Sequence, residues 1–293
     1  MIAEEILKKI RRIEIISRKT SSEIFAGEYH SAFKGRGMEF SEVREYIPGD
    51  EIRFIDWNVS SRMGKLYIKQ FVEERELTVI LAVDLSASLS FFSRTKSKKE
   101  IAAEISAIIA FTANLNNDKV GLLIFTDRIE LFIPPKKGKT HILRIIRDIL
   151  NFEPEGKGTS IDDGLIYLNK VIKKKAIVFL ISDFIDQAFS KSLKISSRKH
   201  DLIAINISDK REISLPDKGV FILKDFETGE EFLADFSSGK TKESFENFNR
   251  QDSEQLLELF KKYKIDYIHI ENEENYEKPL FDFFLERKRK FSR

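Results

Sequence analysis

Residues 76–91 read Glu-Leu-Thr-Val-Ile-Leu-Ala-Val-Asp-Leu-Ser-Ala-Ser-Leu-Ser-Phe. The run 77–83 is almost entirely apolar and rich in β-branched residues, which predicts a strand buried on both faces of a helix-covered parallel sheet. At its carboxyl end stand Asp84, Ser86 and Ser88, one carboxylate and two hydroxyls at alternate positions. Open α/β sheets bind ligands at that edge, and oxygen donors suit a hard cation such as Mg²⁺. The competing interpretation is a loop that caps the next helix, since Asp and Ser are common capping residues.

The composition limits the class of protein. The 293 residues are 42% hydrophobic, enough for a sizeable core in one large or two small domains. A net charge of +2 is not that of a general nucleic-acid-binding protein. The absence of cysteine excludes disulfides, thiolate metal sites and cysteine nucleophiles. No apolar run is long enough to predict a membrane span, and the amphipathic first residues lack the apolar core of a signal peptide, so we expect a cytoplasmic protein.

Apolar periodicity along the chain predicts helices that alternate with strands. The predicted strands cover residues 77–83, 119–125, 129–133, 175–181, 201–207 and 265–270. The predicted helices cover residues 2–17, 98–115, 140–152, 189–199, 243–263 and 279–288, with a further helix that Thr159 or Ser160 caps and that runs to Val171. The short turn at 126–128 predicts an antiparallel hairpin that Pro134-Pro135 ends. Together these elements predict an α/β fold with a doubly wound, mostly parallel sheet and helices on both faces.

The pattern also predicts a division of the chain. Residues 1–76 would form an N-terminal helix and a β-rich segment with strands at 52–57 and 65–72, and residues 77–293 the α/β domain with a β-hairpin insertion at about 218–236. Charges of both signs in the β-rich segment fit either surface ion pairs or an interaction surface for a partner protein. Two basic runs, 173–175 and 287–290, are expected on the solvated surface.

Polar residues at three separate positions are expected at one edge of the sheet. Asp84 and Asp183 each follow a buried strand, and Thr159 lies in the glycine-containing loop 155–164. The spacing of that loop does not fit a phosphate-binding Gly-x-x-x-x-Gly-Lys-Ser/Thr motif, which argues against a nucleotide site. Three loops that converge with oxygen ligands are a stronger signal for a metal than the first loop alone.

This pattern resembles the metal-ion-dependent adhesion site (MIDAS) of von Willebrand factor A domains, in which Asp-x-Ser-x-Ser is followed by a Thr and a later Asp. The matching residues are Asp84, Ser86, Ser88, Thr159 and Asp183. The resemblance implies a von Willebrand factor A-like fold and a metal that the hydroxyls approach directly and the aspartates approach partly through water. A compact, hydroxyl-rich site of this kind favours Mg²⁺ or Mn²⁺.

Further motifs resemble the bacterial domain of unknown function 58 family. They are Gly35-Arg-Gly-Met-Glu-Phe40, Arg44-Glu-Tyr-Ile-Pro-Gly-Asp50, Ile55-Asp-Trp57, Ser61-Arg-Met-Gly64, Val120-Gly-Leu122, Pro134-Pro-Lys-Lys-Gly138, Ser182-Asp-Phe184, Leu215-Pro216 and Asp225-x-Glu-Thr-Gly-Glu230. The resemblance implies a partner of MoxR-type AAA+ ATPases that acts as an adaptor in chaperone-like maturation or assembly of other proteins. The chain departs from the usual pattern at Leu89, Ser160 and Ser208, and the first two departures leave the ligand set intact.

Three functions compete at this stage. The first is a non-enzymatic binding module whose metal is completed by an acidic residue of a client or partner. The second is a Mg²⁺-dependent phosphoester hydrolase with Asp84 as nucleophile, although Ser86 stands where such an enzyme of the haloacid dehalogenase type needs a second carboxylate. The third is a scaffold whose polar residues only cap helices.

Overall fold

The computed structural model describes residues 2–21, 29, 32–33, 39–72, 76–90, 96–186, 189–209, 219–224, 230–235, 239–271 and 276–291. Two compact units divide the chain, one formed by Met1–Ala32 with Thr78–Arg293 and the other by Phe33–Leu77. The division differs from the sequence-based one, since the N-terminal helix groups with the α/β unit. That helix packs against helices 98–115 and 139–151, and its Ile10 and Ile13 are buried.

The strands are β1 (Glu39–Glu45), β2 (Tyr67–Val72), β3 (Thr78–Asp84), β4 (Lys119–Phe125), β5 (Ile129–Lys136), β6 (Ile177–Ser182), β7 (Asp201–Ser208), β8 (Val220–Lys224), β9 (Glu231–Asp235) and β10 (Asp266–Glu271). The α-helices are α1 (Ile2–Thr20), α2 (Trp57–Met63), α3 (Lys98–Leu115), α4 (Lys139–Asn151), α5 (Ile161–Val171), α6 (Ser190–Lys199), α7 (Gly239–Tyr263) and α8 (Glu277–Phe291). None of the described helices is both long and apolar enough to cross a membrane.

A six-stranded sheet organises the larger unit in the order β10-β7-β6-β3-β4-β5. All neighbours pair in parallel except β4 and β5, which form the predicted antiparallel hairpin. The predicted fold class, an α/β fold with a mostly parallel central sheet, is therefore confirmed. The register pairs Asp84 with Phe125 and Val83 with Ile181, so β3, β4 and β6 end at the same level.

Helices bury both faces of this sheet. Ile80 and Ala82 belong to a core that includes Leu165 of α5, Leu193 of α6 and Phe260 of α7. Helix α3 packs against β3, β4 and β7, and its apolar residues are almost all buried. Because both faces are covered, nearly every residue of β3 and β6 is apolar, and polar side chains appear only at the first or last position of these strands.

Three sequence-based expectations about local structure are wrong. Residues 52–57 are not a strand: a short 3₁₀ helix (Ile52–Phe54) precedes α2, which begins at Trp57 because the Asp56 carboxylate caps its free N–H groups. Pro134-Pro135 does not end β5, which continues to Lys136, since an edge strand tolerates proline. Arg287, placed on the solvated surface with its basic run, is buried.

The smaller unit is built on the antiparallel pair β1–β2. Arg44 holds the carboxylate of Asp50 through two hydrogen bonds of 2.8 and 2.7 Å, and Asp50 also accepts from the backbone of Ile47. Gly64, at φ 68°, ends α2 in the left-handed conformation that suits glycine. The predicted hairpin insertion is confirmed as the pair β8–β9, although residues 225–229 of its turn lie outside the described residues.

Candidate metal centre

Asp84 is held rigidly at the end of β3. Its side chain is fully buried, its Oδ1 accepts a hydrogen bond from the backbone N–H of Ser86 (2.8 Å), and its Oδ2 accepts one from the Ser182 hydroxyl (2.7 Å). Burial, followed by the charge of Asp183, raises the pKa of Asp84 to about 7, although hydrogen bonds from Ser182 and Ser86 lower it. A cation beside this carboxylate would favour its ionised form.

The two serine hydroxyls of the first loop meet beside Asp84. The Oγ atoms of Ser86 and Ser88 lie 3.0 Å apart, and both side chains are almost completely buried. The loop is tight because a 3₁₀ turn begins at Ala87 and the N–H of Leu89 donates to the carbonyl of Ser86 (3.1 Å). The sequence-based expectation that these side chains turn toward a common point is therefore met for the two hydroxyls.

Asp183 follows the neighbouring strand β6 and forms a buried ion pair. Its Oδ2 lies 2.9 Å from Nζ of Lys98, the first residue of α3, and the two side chains are 2% and 0% exposed. Residue Phe184, with φ at 58°, turns the chain sharply just after the aspartate. The structure thus brings Asp84 and Asp183 to one edge, as predicted, and adds a lysine to them.

Backbone hydrogen bonds bring the loop of Thr159 to the same edge. The N–H of Ala87, between the two serines, donates to the carbonyl of Lys157 (3.0 Å). On the other side of Thr159, the N–H of Ser160 donates to the carbonyl of Thr126, just beyond the end of β4 (2.9 Å). Thr159 is half-buried between these two anchors, and Ser160 rather than Thr159 caps α5.

Gly156 fixes the start of that loop. Its N–H donates to Oε1 of Glu130, which also accepts from the hydroxyl of Thr126, each over 2.8 Å. A Cβ at this position would lie 2.1 Å from Oδ1 of Asp127 and 2.2 Å from Oγ1 of Thr126, so a larger residue would have to displace these side chains or the loop. The glycine is therefore needed for the close approach that places Thr159 near the first loop.

The donor set fits a small hard cation. Carboxylates and hydroxyls are ligands that Mg²⁺ accepts, and the Ser86–Ser88 separation of 3.0 Å is about that of neighbouring oxygens in an octahedron with metal–oxygen distances of about 2.1 Å. Within the described ranges, no cluster of three or more His, Asp or Glu side chains could hold a metal. A cation bound to this chain would therefore depend on hydroxyls as well as on Asp84 and Asp183.

Comparison with known proteins places the chain in a family. Residues 42–255 match the family described as "Protein of unknown function DUF58". The chain belongs to the DUF58 family. The match covers the smaller unit's β2 and α2, the first loop of the candidate site, Thr159 and Asp183, so the site lies within the part of the chain that defines the family.

Relatives of this DUF58 protein occur in mycobacteria and Bacillus. The uncharacterized protein Rv1480 of Mycobacterium tuberculosis is 29% identical over 223 residues, which span 75% of this chain and 70% of the relative. The uncharacterized protein Mb1516 of Mycobacterium bovis matches to the same extent. The uncharacterized protein YeaD of Bacillus subtilis is 27% identical over 109 residues, 37% of this chain and 25% of the relative.

Solved structures with similar folds include the conserved hypothetical protein BatB from Bacteroides thetaiotaomicron. It is 15% identical with a TM-score of 0.49, and the match covers 73% of this chain and 99% of that one. Proximal thread matrix protein 1 from the mussel byssus, in a structure with a zinc-occupied MIDAS motif, is 19% identical with a TM-score of 0.37, over 46% of this chain and 39% of that one.

Sequence reasoning missed two residues of the site. The sequence analysis named Ser182 only as part of a family motif. A serine that ends a buried strand directly before an Asp is, however, a signal for a polar site at the edge of the sheet. Lys98 was assigned only to a helix, yet a lysine in the first turn faces the positive end of the helix dipole, which disfavours cations. The unfavourable position of this lysine in the first turn is the sequence signal that could have identified Lys98 as a residue of the site.

Proposed function

We propose that this DUF58 protein is a non-enzymatic, metal-dependent protein-binding adaptor with a MIDAS-type site. The observation that carries the proposal is the pair of buried serine hydroxyls, 3.0 Å apart, beside the buried carboxylate of Asp84 at the carboxyl edge of the sheet. Ser86, Ser88 and Thr159 would hold Mg²⁺ or Mn²⁺ with their hydroxyls, and Asp84 and Asp183 would supply charge. The bound cation would offer an electrophilic position to a carboxylate of the partner.

The residues around the cation have defined tasks in this proposal. Ser182 orients Asp84 through its hydrogen bond to Oδ2, and Gly156 lets the loop of Thr159 approach. Because the direct ligands are mainly neutral hydroxyls, the metal would keep much of its charge for a partner's Asp or Glu. Metal binding and partner binding would then be linked, each raising the affinity of the other.

We infer that the partner is a MoxR-type AAA+ ATPase, with which the protein would assist the assembly or maturation of a client in the cytoplasm. This inference is supported by membership of the DUF58 family and by the sequence resemblance, which covers both units of the chain. The smaller unit, with Trp57 64% exposed, is a second region that the ATPase or the client could contact.

The alternative of a Mg²⁺-dependent hydrolase has less support. Both carboxylate oxygens of Asp84 accept hydrogen bonds within the fold, which reduces their availability for nucleophilic attack. Position 86 is a serine, so no carboxylate stands two residues further on to act as general acid and base. Turnover of a generic phosphoester that Asp84→Asn abolishes would favour the hydrolase over the adaptor.

Thermal unfolding of the full chain in Mg²⁺ and in EDTA tests the metal site. We expect Mg²⁺ at one hundred times its dissociation constant to stabilise the wild type by about 2.7 kcal/mol. Asp84→Ala and Ser88→Ala should lose this response, whereas Asp252→Ala, which removes an exposed carboxylate from α7, should keep it. Comparing each protein with and without Mg²⁺ cancels any direct effect of the substitution on folding.

Pull-down experiments with a MoxR-type ATPase under the same two conditions test the adaptor function. Capture by the wild type in Mg²⁺, lost in EDTA and in Asp84→Ala, is the expected result. Capture that neither chelation nor Asp84→Ala changes would contradict a metal-dependent contact. A complete lack of response to Mg²⁺ in thermal unfolding would instead favour the scaffold interpretation, in which these side chains only cap helices.

A further inference from the structure

Lys98 is placed where both its burial and its position in a helix disfavour a positive charge. It is the first residue of α3, directly after the N-cap Ser97, and its side chain is completely buried. The N-terminus of a helix disfavours cations, and lysine is almost never fully buried unless it is paired. A specific interaction must therefore hold it there, and the ion pair with Asp183 at 2.9 Å is such an interaction.

The pair changes the charge of the candidate metal site. Asp84 and Asp183, when ionised, contribute two negative charges, and the Lys98 ammonium offsets one of them. Proteins adjust their affinity for hard divalent cations largely through the charge of the ligand set. A lysine in contact with one of the two carboxylates therefore opposes the binding of a divalent cation. When no metal is bound, it balances the charge of the carboxylate that it contacts.

We propose that Lys98 is a built-in counter-cation that competes with the divalent metal for Asp183 and thereby sets a weak metal affinity. The inference rests on the proposed metal site. In the metal-free protein Lys98 balances the charge of Asp183, so the fold does not depend on a metal. When the metal binds, Asp183 must share or give up its contact with Lys98. Metal binding therefore weakens or breaks that ion pair, which lowers the affinity for the metal.

The test is a titration of Mg²⁺ into the full chain by isothermal calorimetry, at fixed ionic strength, with wild type, Lys98→Met and Lys99→Met. Methionine keeps the length of the side chain and removes the charge. Lys98→Met should bind Mg²⁺ about tenfold more tightly or better, because a unit charge beside a ligand is removed. Lys99→Met is the matched control, since the neighbouring Lys99 donates to the backbone carbonyl of Phe152 and not to a carboxylate.

Thermal unfolding in EDTA gives the second readout. Lys98→Met should melt at a lower temperature than the wild type without metal, and Mg²⁺ should restore most of the loss, because Asp183 is otherwise left without its buried cation. If Lys98→Met does not fold in EDTA, the double variant Lys98→Met/Asp183→Asn should fold, since it removes both charges. A double variant that also fails to fold would overturn the proposal, because Lys98 would then act through packing.

The outcomes separate this inference from the proposed function. Equal or weaker Mg²⁺ binding by Lys98→Met, with measurable binding by the wild type, would overturn the role of Lys98 and leave the metal site intact. Absence of Mg²⁺ binding in wild type, Lys98→Met and Lys99→Met alike would overturn the metal site itself, and this inference with it. Tighter binding by Lys98→Met alone would support both.

Discussion

At the scale of single residues, Ser182 shows how a buried acid is kept at the end of a strand. Its hydroxyl donates to Asp84 and accepts from the N–H of Phe184 (2.7 and 2.9 Å), so one side chain links β3, β6 and the turn after β6. A neutral hydroxyl can do both because it carries a donor and two acceptor lone pairs. It stabilises the carboxylate without adding a charge that would compete with a cation.

Ser182→Ala should therefore be destabilising. The substitution leaves a buried carboxylate oxygen and a buried N–H without their partner, which costs about 1–3 kcal/mol. Chemical denaturation with urea, compared with the wild type in the same buffer, measures this loss. Ser253→Ala, which removes an exposed hydroxyl bonded only within α7, is the control and should change stability by less than about 0.5 kcal/mol. Equal stability of both variants would show that Ser182 does not hold Asp84.

At the scale of elements, His200 joins the end of α6 to the start of β6. Its ring is buried and its Nδ1 accepts a hydrogen bond from the N–H of Ala176 (3.2 Å), while the N–H of Asp201 donates to the carbonyl of Ala176 (2.9 Å). Burial, with a smaller contribution from the charge of Lys199, lowers the pKa of His200 to about 4. The folded state therefore requires the neutral ring.

This requirement predicts a loss of stability in acid. The unfolded ring titrates near 6.5, so below that pH the unfolded state binds a proton that the folded state does not, and stability falls until about pH 4. Urea midpoints measured between pH 7 and 4 should fall more steeply for the wild type than for His200→Asn. The asparagine keeps an acceptor for Ala176 but does not titrate, so parallel curves for the two proteins would contradict the prediction.

The elements themselves were largely predictable because their signals are local. The strands of the central sheet are apolar runs bounded by polar residues, and α3 and β4 begin and end at the predicted residues. The pattern failed at residues 52–57, where alternation suggested a strand but the Asp56 cap started a helix. The pairing of Lys98 with Asp183 could not be predicted for a different reason, since the two residues are 85 positions apart and only the assembled sheet brings them together.

At the scale of the whole molecule, Arg287 connects the C-terminal helix to distant parts of the larger unit. Its guanidinium donates to Asp201 at the start of β7, to Asp266 at the start of β10 (2.6 Å) and to the carbonyl of Ala32 (3.2 Å). The side chain is only 4% exposed, and the two carboxylates are 29% and 30% exposed. The sequence predicted a solvated arginine because Arg287 stands in a basic run. Its burial could not be predicted, since its three partners come from remote positions in the chain.

Arg287→Met should therefore destabilise the larger unit even though methionine fills much of the same volume. Breaking a fully buried ion pair costs about 3–5 kcal/mol, and because water reaches both aspartates partly, we expect about 2–3 kcal/mol here. Arg289→Met, two residues further along α8 and exposed, is the matched control and should leave stability within about 0.5 kcal/mol. Urea denaturation of both variants at pH 7 makes the comparison. A loss for Arg287→Met no larger than that of the control would mean that the apolar contacts of α8, not its buried arginine, hold the helix on the sheet.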